Sequence, residues 1–531
     1  MHKILVADPL SEAGLALLRE GGAEVVDLTA ADRARLLEAI ADADALLVRS
    51  RTKADAELLR AGRRLKVVGR AGIGVDNVDV KTATELGILV INAPTANLLS
   101  ATEHTFALLL ALARNVPAAD ASMKEGEWER NRFVGVELQG KTLGIIGLGR
   151  IGQRVAARAK ALEMEVAAYD PFLDPDQGPR LGVELLALDE LLRRADVVTL
   201  HTPLTDQTRN LLDATRLALL KPGALLVNCS RGGVVDEAAL LAALDSGHLG
   251  GAALDVFDEE PPKSLDLVRH PRVVATPHLG AQTAEAQERT STETAQMVLA
   301  ALGGSFAVTA VNLPFRATGS RGEPYLHLGE RLGSLGSALL RAPLKRVQVD
   351  LWGVEEPLQL PVAIAALKGA LAPFLGPGLN YVNVERVAQG RGIETVRIAH
   401  ASAAEYPHLV QVTLEGTDGG APVEIAGTLF GERQPRVVRF GRQPLEFRPE
   451  GKLLILRSFD VPGVVGKVGT LLGEARVNIA DVHLARKDGE EDAWTILRLD
   501  EEPSREVLDR LAALPEMRRV DLADLGEGGA D

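Results

Sequence analysis

One short run constrains this chain more than any other: Gly147-Leu-Gly149-Arg-Ile-Gly152, with the apolar LGII before it and RIGQRVAARAKAL, at helical spacing, behind it. Between a buried strand and a helix, the first glycine permits a tight turn. The second lets a pyrophosphate approach the backbone, and the third lets helix and strand pack closely. The helix then presents unpaired N–H groups to the phosphate. Asp170 ends the next strand, EVAAYD, 18 residues beyond Gly152, where an acid can grip a ribose 2′-hydroxyl. An ordinary βα turn with a surface aspartate is the plainer account, but here the context fits on both sides. Asp170 would repel a 2′-phosphate, so NAD is expected over NADP.

The surroundings repeat the same alternation. KILVA at 3–7, EVVDL at 24–28, ALLVR at 45–49, LKVVG at 65–69 and GILVIN at 87–92 read as strands, with helical stretches such as SEAGLALLRE and ADRARLLEAI between them. Strand–helix–strand alternation predicts a parallel α/β sheet. TEHTFALLLALARN leads away from this lobe, and AEAQERTSTETAQMVLAAL reads as a helix returning to it. A mixed α+β stretch follows, including RVQVDLWG and TVRIAH as strands. From Lys452 the order is β-α-β-β-α-β, the ferredoxin-like pattern. At 531 residues the chain has room for roughly three to four domains. A net charge of −14 argues against a surface built for nucleic acid or anionic membrane, while leaving small anionic substrates open. The single cysteine, Cys229, excludes a disulfide scaffold within one chain and fits a reducing compartment. No secretory leader or membrane span is expected, and the localisation expected is cytoplasmic.

Three residues fall in loops just past strand ends: Arg231 after LLVNCS, Glu260 after LDVF, and His278 after VVAT. In open α/β sheets, ligands sit at the carboxyl ends of strands. Taken singly, a loop arginine is usually solvated, an acid among several needs no role, and a histidine can merely bond a carbonyl. Together they make a reaction centre: a histidine for proton transfer, a carboxylate to orient it and an arginine for an anion. The ten histidines show no metal-ligand spacing, so no metal is expected.

VGRAGIGVDNVD (68–79), NAPTANLLSATEHT (92–105), LGIIGLGRIG, HTPLTDQTRNLL (201–212), NCSRGGVVDEAAL (228–240), GAALDVFDEEPP (251–262) and TPHLGAQT (276–283) resemble, in order, the D-isomer-specific 2-hydroxy acid dehydrogenases, most closely their long-form D-3-phosphoglycerate dehydrogenase branch. The resemblance implies an α/β core of two lobes, a flavodoxin-like substrate lobe and a Rossmann NAD lobe. An α+β intervening domain and a ferredoxin-like ACT regulatory domain would follow. The corresponding boundaries are 1–97 (completed by about 284–312), 98–283, 313–450 and 451–525, with a tail at 526–531. It implies oxidation of a 2-hydroxy acid by NAD with Arg231, Glu260 and His278 as catalytic residues. Cofactor contacts carry over to Arg150, Ile151, Asp170, Thr202, Cys229, Arg231, Asp255 and His278, beside the three glycines. One departure is Ile73, where relatives often carry threonine.

If the substrate is 3-phosphoglycerate, its phosphate needs further cations. Arg49 and Arg51 in VRSRTK are the candidates, with Asn97 and Arg130 beside them. The resemblance further implies a homotetramer and L-serine as effector at Asp460 and Asn478 in the tail domain, although Ser458 stands where some serine-inhibited relatives carry histidine. Two other readings stay open here: a dehydrogenase for another D-2-hydroxy acid such as 2-hydroxyglutarate, and a non-catalytic NAD-sensing protein on the same fold.

Overall fold

The computed structural model describes residues 1–526 apart from 175, 305–308, 317–318, 403–404, 432, 442 and 487–490. Of the expected tail at 526–531, residues 527–531 lie outside the described residues.

Every strand of the first sheet runs parallel, in the order Glu24–Asp27, Lys3–Val6, Ala45–Val48, Val67–Arg70, Leu89–Asn92. The uninterrupted apolar ALLV is buried at all four positions, as a strand covered on both faces must be. Helix Leu98–Ala113 then carries the chain to a second parallel sheet. Helix Ala284–Leu302 brings it back, packing so tightly on helix Glu12–Glu20 that a Cβ on Gly14 would lie 2.8 Å from that of Ser291.

The order in the second sheet is Val273–Ala275, Gly251–Leu254, Leu225–Asn228, Val197–Leu200, Thr142–Ile146, Glu165–Tyr169, Glu184–Leu185. Connections run one way from Thr142–Ile146 and then return to its other side, so the switch point lies between it and Val197–Leu200. The glycine run sits there, at the carboxyl end.

Two further sheets follow. A mixed one is ordered Glu394–His400, Leu344–Trp352, Leu409–Gly416, Val423–Phe430, Gln434–Phe440, Gln443–Phe447, with only its first pair parallel. Helices Gly319–Leu339 and Glu356–Leu375 supply its core. The second of these went unread in the sequence because it is apolar nearly all round and so shows no helical stripe. It is long and apolar enough to cross a membrane, yet half of it is buried in this core.

The last sheet is antiparallel, in the order Ile479–Arg486, Asp492–Leu499, Lys452–Phe459, Met517–Asp524. Helices Val464–Glu474 and Arg505–Ala512 pack on one face, which is the ferredoxin-like arrangement. Its other face, through Leu453, Ile455, Ala485 and Ile496, joins the core of the mixed sheet, and Trp494 meets Phe440 edge-on at 4.9 Å.

The two long helices cross on reciprocal glycines. A Cβ on Gly369 would stand 1.9 Å from the Glu330 carbonyl oxygen, and one on Gly333 would stand 2.0 Å from that of Ala366. Gly333→Ala or Gly369→Ala is therefore expected to cost about 1–3 kcal/mol of stability, seen as a lower denaturant midpoint. Gly473→Ala, whose Cβ would meet nothing within 4 Å, is expected to be neutral or mildly stabilising.

Candidate active site

The glycine run folds as its residue types require. Gly147 takes φ +92° with the His201 carbonyl oxygen 2.7 Å from where its Cβ would be, and a Cβ on Gly152 would strike the Gly147 carbonyl at 2.2 Å. Gly149 alone faces open space, with nothing within 4 Å of its Cβ position. Helix Arg150–Ala161, with Arg150 and Ile151 in its first turn, starts there. Asp170 Oδ2 accepts from Leu148 N at 2.9 Å and Oδ1 from Phe172 N at 3.0 Å, so the acid is tied to the glycine run with lone pairs to spare. The Thr202 hydroxyl is buried without a partner. An open backbone face, a helix N-terminus and an orphaned hydroxyl together fit a dinucleotide.

His278 and Glu260 meet as expected, with Nδ1 and Oε2 2.7 Å apart. Phe257 N donates to the other Glu260 oxygen at 3.3 Å. His278 sits at φ +56°, a left-handed backbone that non-glycine residues adopt at a cost of about 1 kcal/mol or more. Asp255 lies beneath this loop, fully buried. It accepts from Thr276 Oγ1 (2.6 Å), Leu279 N (2.7 Å), Gly280 N (2.8 Å) and His104 Nε2 (3.0 Å). Burial alone would raise its pKa, but these bonds outweigh burial and hold the carboxyl below its ordinary range. The family resemblance implies a cofactor contact at Asp255, and in the structure its oxygens also tie the loop together. His104 was quoted in the sequence but given no role.

Arg231 reaches across to the first lobe, donating from Nε to Asp76 Oδ2 at 3.1 Å. A second arginine, missed in the sequence, lies beside it. Arg70 ends its strand with its Nε buried and unpartnered. Its pKa is pulled down to about 10, by burial first and then by the neighbouring Arg231 charge, with Arg49 adding to the effect. Its signal was a basic side chain at the carboxyl end of an apolar parallel strand.

Arg49 is fixed through its backbone: its N–H donates to Asp8 Oδ2 at 2.6 Å, and its carbonyl accepts from Asn77 Nδ2 at 2.7 Å. Arg51 does not join the cluster. Its guanidinium donates to Asp8 Oδ1 (3.3 Å) and to the carbonyls of Ala7 (3.0 Å) and Thr29 (2.5 Å), so it braces the fold. Asn97, at the start of helix Leu98–Ala113, keeps a buried Oδ1 with no partner. Arg130 stands on the exposed turn Arg130–Phe133 beside Trp128.

In the last sheet, Asp460 Oδ2 lies 3.6 Å from Arg486 Nη1, and Asn478 Nδ2 donates to Asp500 Oδ2 at 2.6 Å. Both residues thus have local partners. Among the described residues no cluster of three or more His, Cys, Asp or Glu side chains could hold a metal.

Residues 106–280 match the model of the D-isomer specific 2-hydroxyacid dehydrogenase NAD-binding domain, and 322–441 match the D-3-phosphoglycerate dehydrogenase intervening domain. The D-3-phosphoglycerate dehydrogenase of Methanocaldococcus jannaschii is 42% identical over 530 residues, 99% of this chain and 100% of its own. That of Bacillus subtilis is 40% identical over 529 residues, again 99% and 100%. The chain belongs to the D-3-phosphoglycerate dehydrogenase family. As a dehydrogenase of this family it uses NAD, and the residues around Gly149 and Thr202 are those that fit it.

Its two-lobed core resembles a Thermus thermophilus protein of solved structure (TM-score 0.53, 40% identity, 57% of this chain and 97% of the other). It also resembles the Aquifex aeolicus D-lactate dehydrogenase, solved with NAD and lactic acid (TM-score 0.51, 30% identity, 57% and 96%).

Cys229 in this dehydrogenase is inert by position. Burial, reinforced by Asp255, pushes its thiol up to about 12, so the nucleophilic thiolate is scarce at neutral pH. Iodoacetamide at pH 7.5 is expected to label the native enzyme far more slowly than the urea-unfolded chain, as mass spectrometry would show.

Proposed function

We propose that the cleft oxidises D-3-phosphoglycerate to 3-phosphohydroxypyruvate with NAD, the step that opens the phosphorylated route to L-serine. The observation that carries this reading is the buried Arg70, with its unpartnered Nε, grouped with Arg231 and Arg49. Guanidiniums gather this way, against their mutual repulsion, where anions are to be bound. A substrate with a carboxylate at one end and a phosphate at the other uses all three.

The residues around Gly149 and Thr202 would hold NAD, whose nicotinamide would supply the acceptor for the hydride from C2 of the substrate. Glu260 occupies His278 Nδ1, which leaves Nε2 as the nitrogen that takes the C2 hydroxyl proton, and returns it in the reverse reaction. Glu260 stabilises the imidazolium formed. Arg231 receives the carboxylate and polarises the C2 oxygen, while Arg49 and Arg70, with the side-chain NH2 of Asn97 as a further donor, receive the phosphate.

The division of labour proposed is a substrate lobe at 1–97 completed by about 284–312, an NAD lobe at 98–283, an intervening domain at 313–450 and an ACT domain at 451–525. We place the enzyme in the cytoplasm as a homotetramer, with L-serine as inhibitor at Asp460 and Asn478. The ferredoxin-like sheet, ending on the edge strand that begins at Ile479, supports this.

Arg49→Ala or Arg70→Ala is expected to lower kcat/KM for 3-phosphohydroxypyruvate by about 10- to 100-fold, the worth of a hydrogen bond to a charged group, with little change for hydroxypyruvate. Equal losses on both compounds would remove the phosphate assignment. His278→Ala should reduce turnover by about 10²-fold or more. Asp170→Ala should narrow the preference for NAD over NADP in the same assay. Calorimetry that finds no L-serine bound to the intact oligomer would end the effector assignment.

A further inference from the structure

The proton-transfer loop is fastened to a helix that belongs to neither of the strands flanking it. Helix Leu98–Ala113 carries the chain from the first sheet to the second. Two of its side chains, one turn apart, reach the loop that bears His278. Ser100 Oγ donates to the Gly280 carbonyl at 2.8 Å in a buried bond. His104 Nε2 lies 3.0 Å from Asp255 Oδ1 and 3.1 Å from Thr276 Oγ1.

Asp255 is the intermediary. One of its oxygens accepts from His104, Thr276 and Leu279 N, and the other accepts from Gly280 N. Its backbone carbonyl accepts the His278 N–H at 2.9 Å. The loop is thereby held on both sides of His278, whose left-handed φ of +56° persists only if its surroundings enforce it. Without a donor from His104, a buried carboxylate would lose one of its four bonds. The pull on Leu279 and Gly280 would then be shared differently.

We infer that His104 is a positioning residue for proton transfer: by donating to Asp255 it fixes the 276–280 loop, and with it the His278 ring against Glu260, from the helix that joins the two lobes. It touches neither substrate nor cofactor in this role. The inference rests on the assignment of His278 as the proton-transfer group. It predicts a loss in turnover larger than any in NADH binding, since the arginines that hold the substrate and the glycine run that fits the cofactor are on other elements.

The test is steady-state reduction of 3-phosphohydroxypyruvate by NADH with the full-length oligomer, alongside NADH binding followed by fluorescence. His104→Ala and His104→Leu, the second filling the space without a donor, are expected to lower kcat about tenfold. KM should stay within about twofold, and any rise in the NADH Kd, through Asp255 and His278, should be smaller than the loss in kcat. His104→Gln keeps an N–H donor at similar reach and is expected to recover most of the rate. In a His278→Ala background, adding His104→Ala should cost less than about twofold, because its effect passes through the missing ring.

A kcat within twofold of the unmodified enzyme for both donor-less variants would overturn the inference. So would an undiminished loss in the His278→Ala background, or a rise in the NADH Kd as large as the loss in kcat. If His278→Ala itself turns over normally, it is the assignment of His278 that fails. If His278→Ala is deficient and the losses add, only the positioning role of His104 falls.

Discussion

The active cleft depends on one buried carboxylate. Asp255 follows strand Gly251–Leu254 at the carboxyl edge of the second sheet, takes four side-chain hydrogen bonds, and has almost no exposed surface. Burying a charge so completely is tolerable only where its lone pairs are met, and here the donors are the groups that must be kept in place. They come from the strand end before His278, the loop after it, and the crossover helix. The interaction holding the charge down therefore also fixes the geometry of the proton-transfer pair. That charge also adds to the burial that keeps the Cys229 thiol protonated.

The opposite charge is concentrated across the cleft. A protein with a net charge of −14 has nonetheless brought Arg49, Arg70 and Arg231 into one field, with Asp8 and Asp76 as the acids that moderate it. Burial and two like charges oppose the ionisation of Arg70 and lower its pKa, yet it remains protonated at neutral pH. Asp76 and Asp8 offset part of this repulsion. Arg231 and Asp76 belong to different lobes, so the pair that lines the substrate side also spans the cleft at 3.1 Å.

Most of the catalytic half was legible in the sequence because its constraints are local. Gly147, Gly149 and Gly152 each answer a separate demand of a strand–turn–helix that admits a phosphate, and all three spacings lie within six residues. Arg231, Glu260 and His278 were found by their place just past apolar strands. What escaped notice depended on partners remote in sequence. Arg70 reads as one more charged strand end until folding sets it beside Arg231. Arg51 looked equivalent to Arg49, two residues away, yet Asp8 and two carbonyls claim its guanidinium. Asp255 carried only a cofactor contact implied by the resemblance, and the hold of its oxygens on the His278 loop and on His104 becomes visible only in the fold. In the third sheet the difficulty was of another kind: helix Glu356–Leu375 is buried by a partner helix and carries no polar face to give it a period.

The same remoteness governs how the carboxyl-terminal half can speak to the cleft. Sequence suggested two separate modules at 313–450 and 451–525, but the small sheet lends Leu453, Ile455 and Ile496 to the core of the mixed one. Arg341 and Arg519 add polar ties, Arg341 to Asp521 at 3.3 Å and Arg519 to the Leu339 carbonyl. A ligand on the small sheet thus acts on a body that includes both sheets. That body meets the first lobe where Asn380 Nδ2 donates to the Gly87 carbonyl at 2.6 Å and Arg386 pairs with Glu85 at 2.6 Å. Gly87 has φ +72°, and a Cβ there would lie 2.6 Å from the Asn383 amide, so the fit leaves no room for sliding. Past Gly87 the chain enters strand Leu89–Asn92. There Asn92 Nδ2 donates to the Ile73 carbonyl in the loop after Arg70, and the chain continues to Asn97. An effector can shift the enzyme only by binding two arrangements unequally. Those contacts, with Asn312 Oδ1 accepting from Val90 N at 2.9 Å, fasten the carboxyl-terminal body to strand Leu89–Asn92, which lies beside the strand that ends in Arg70.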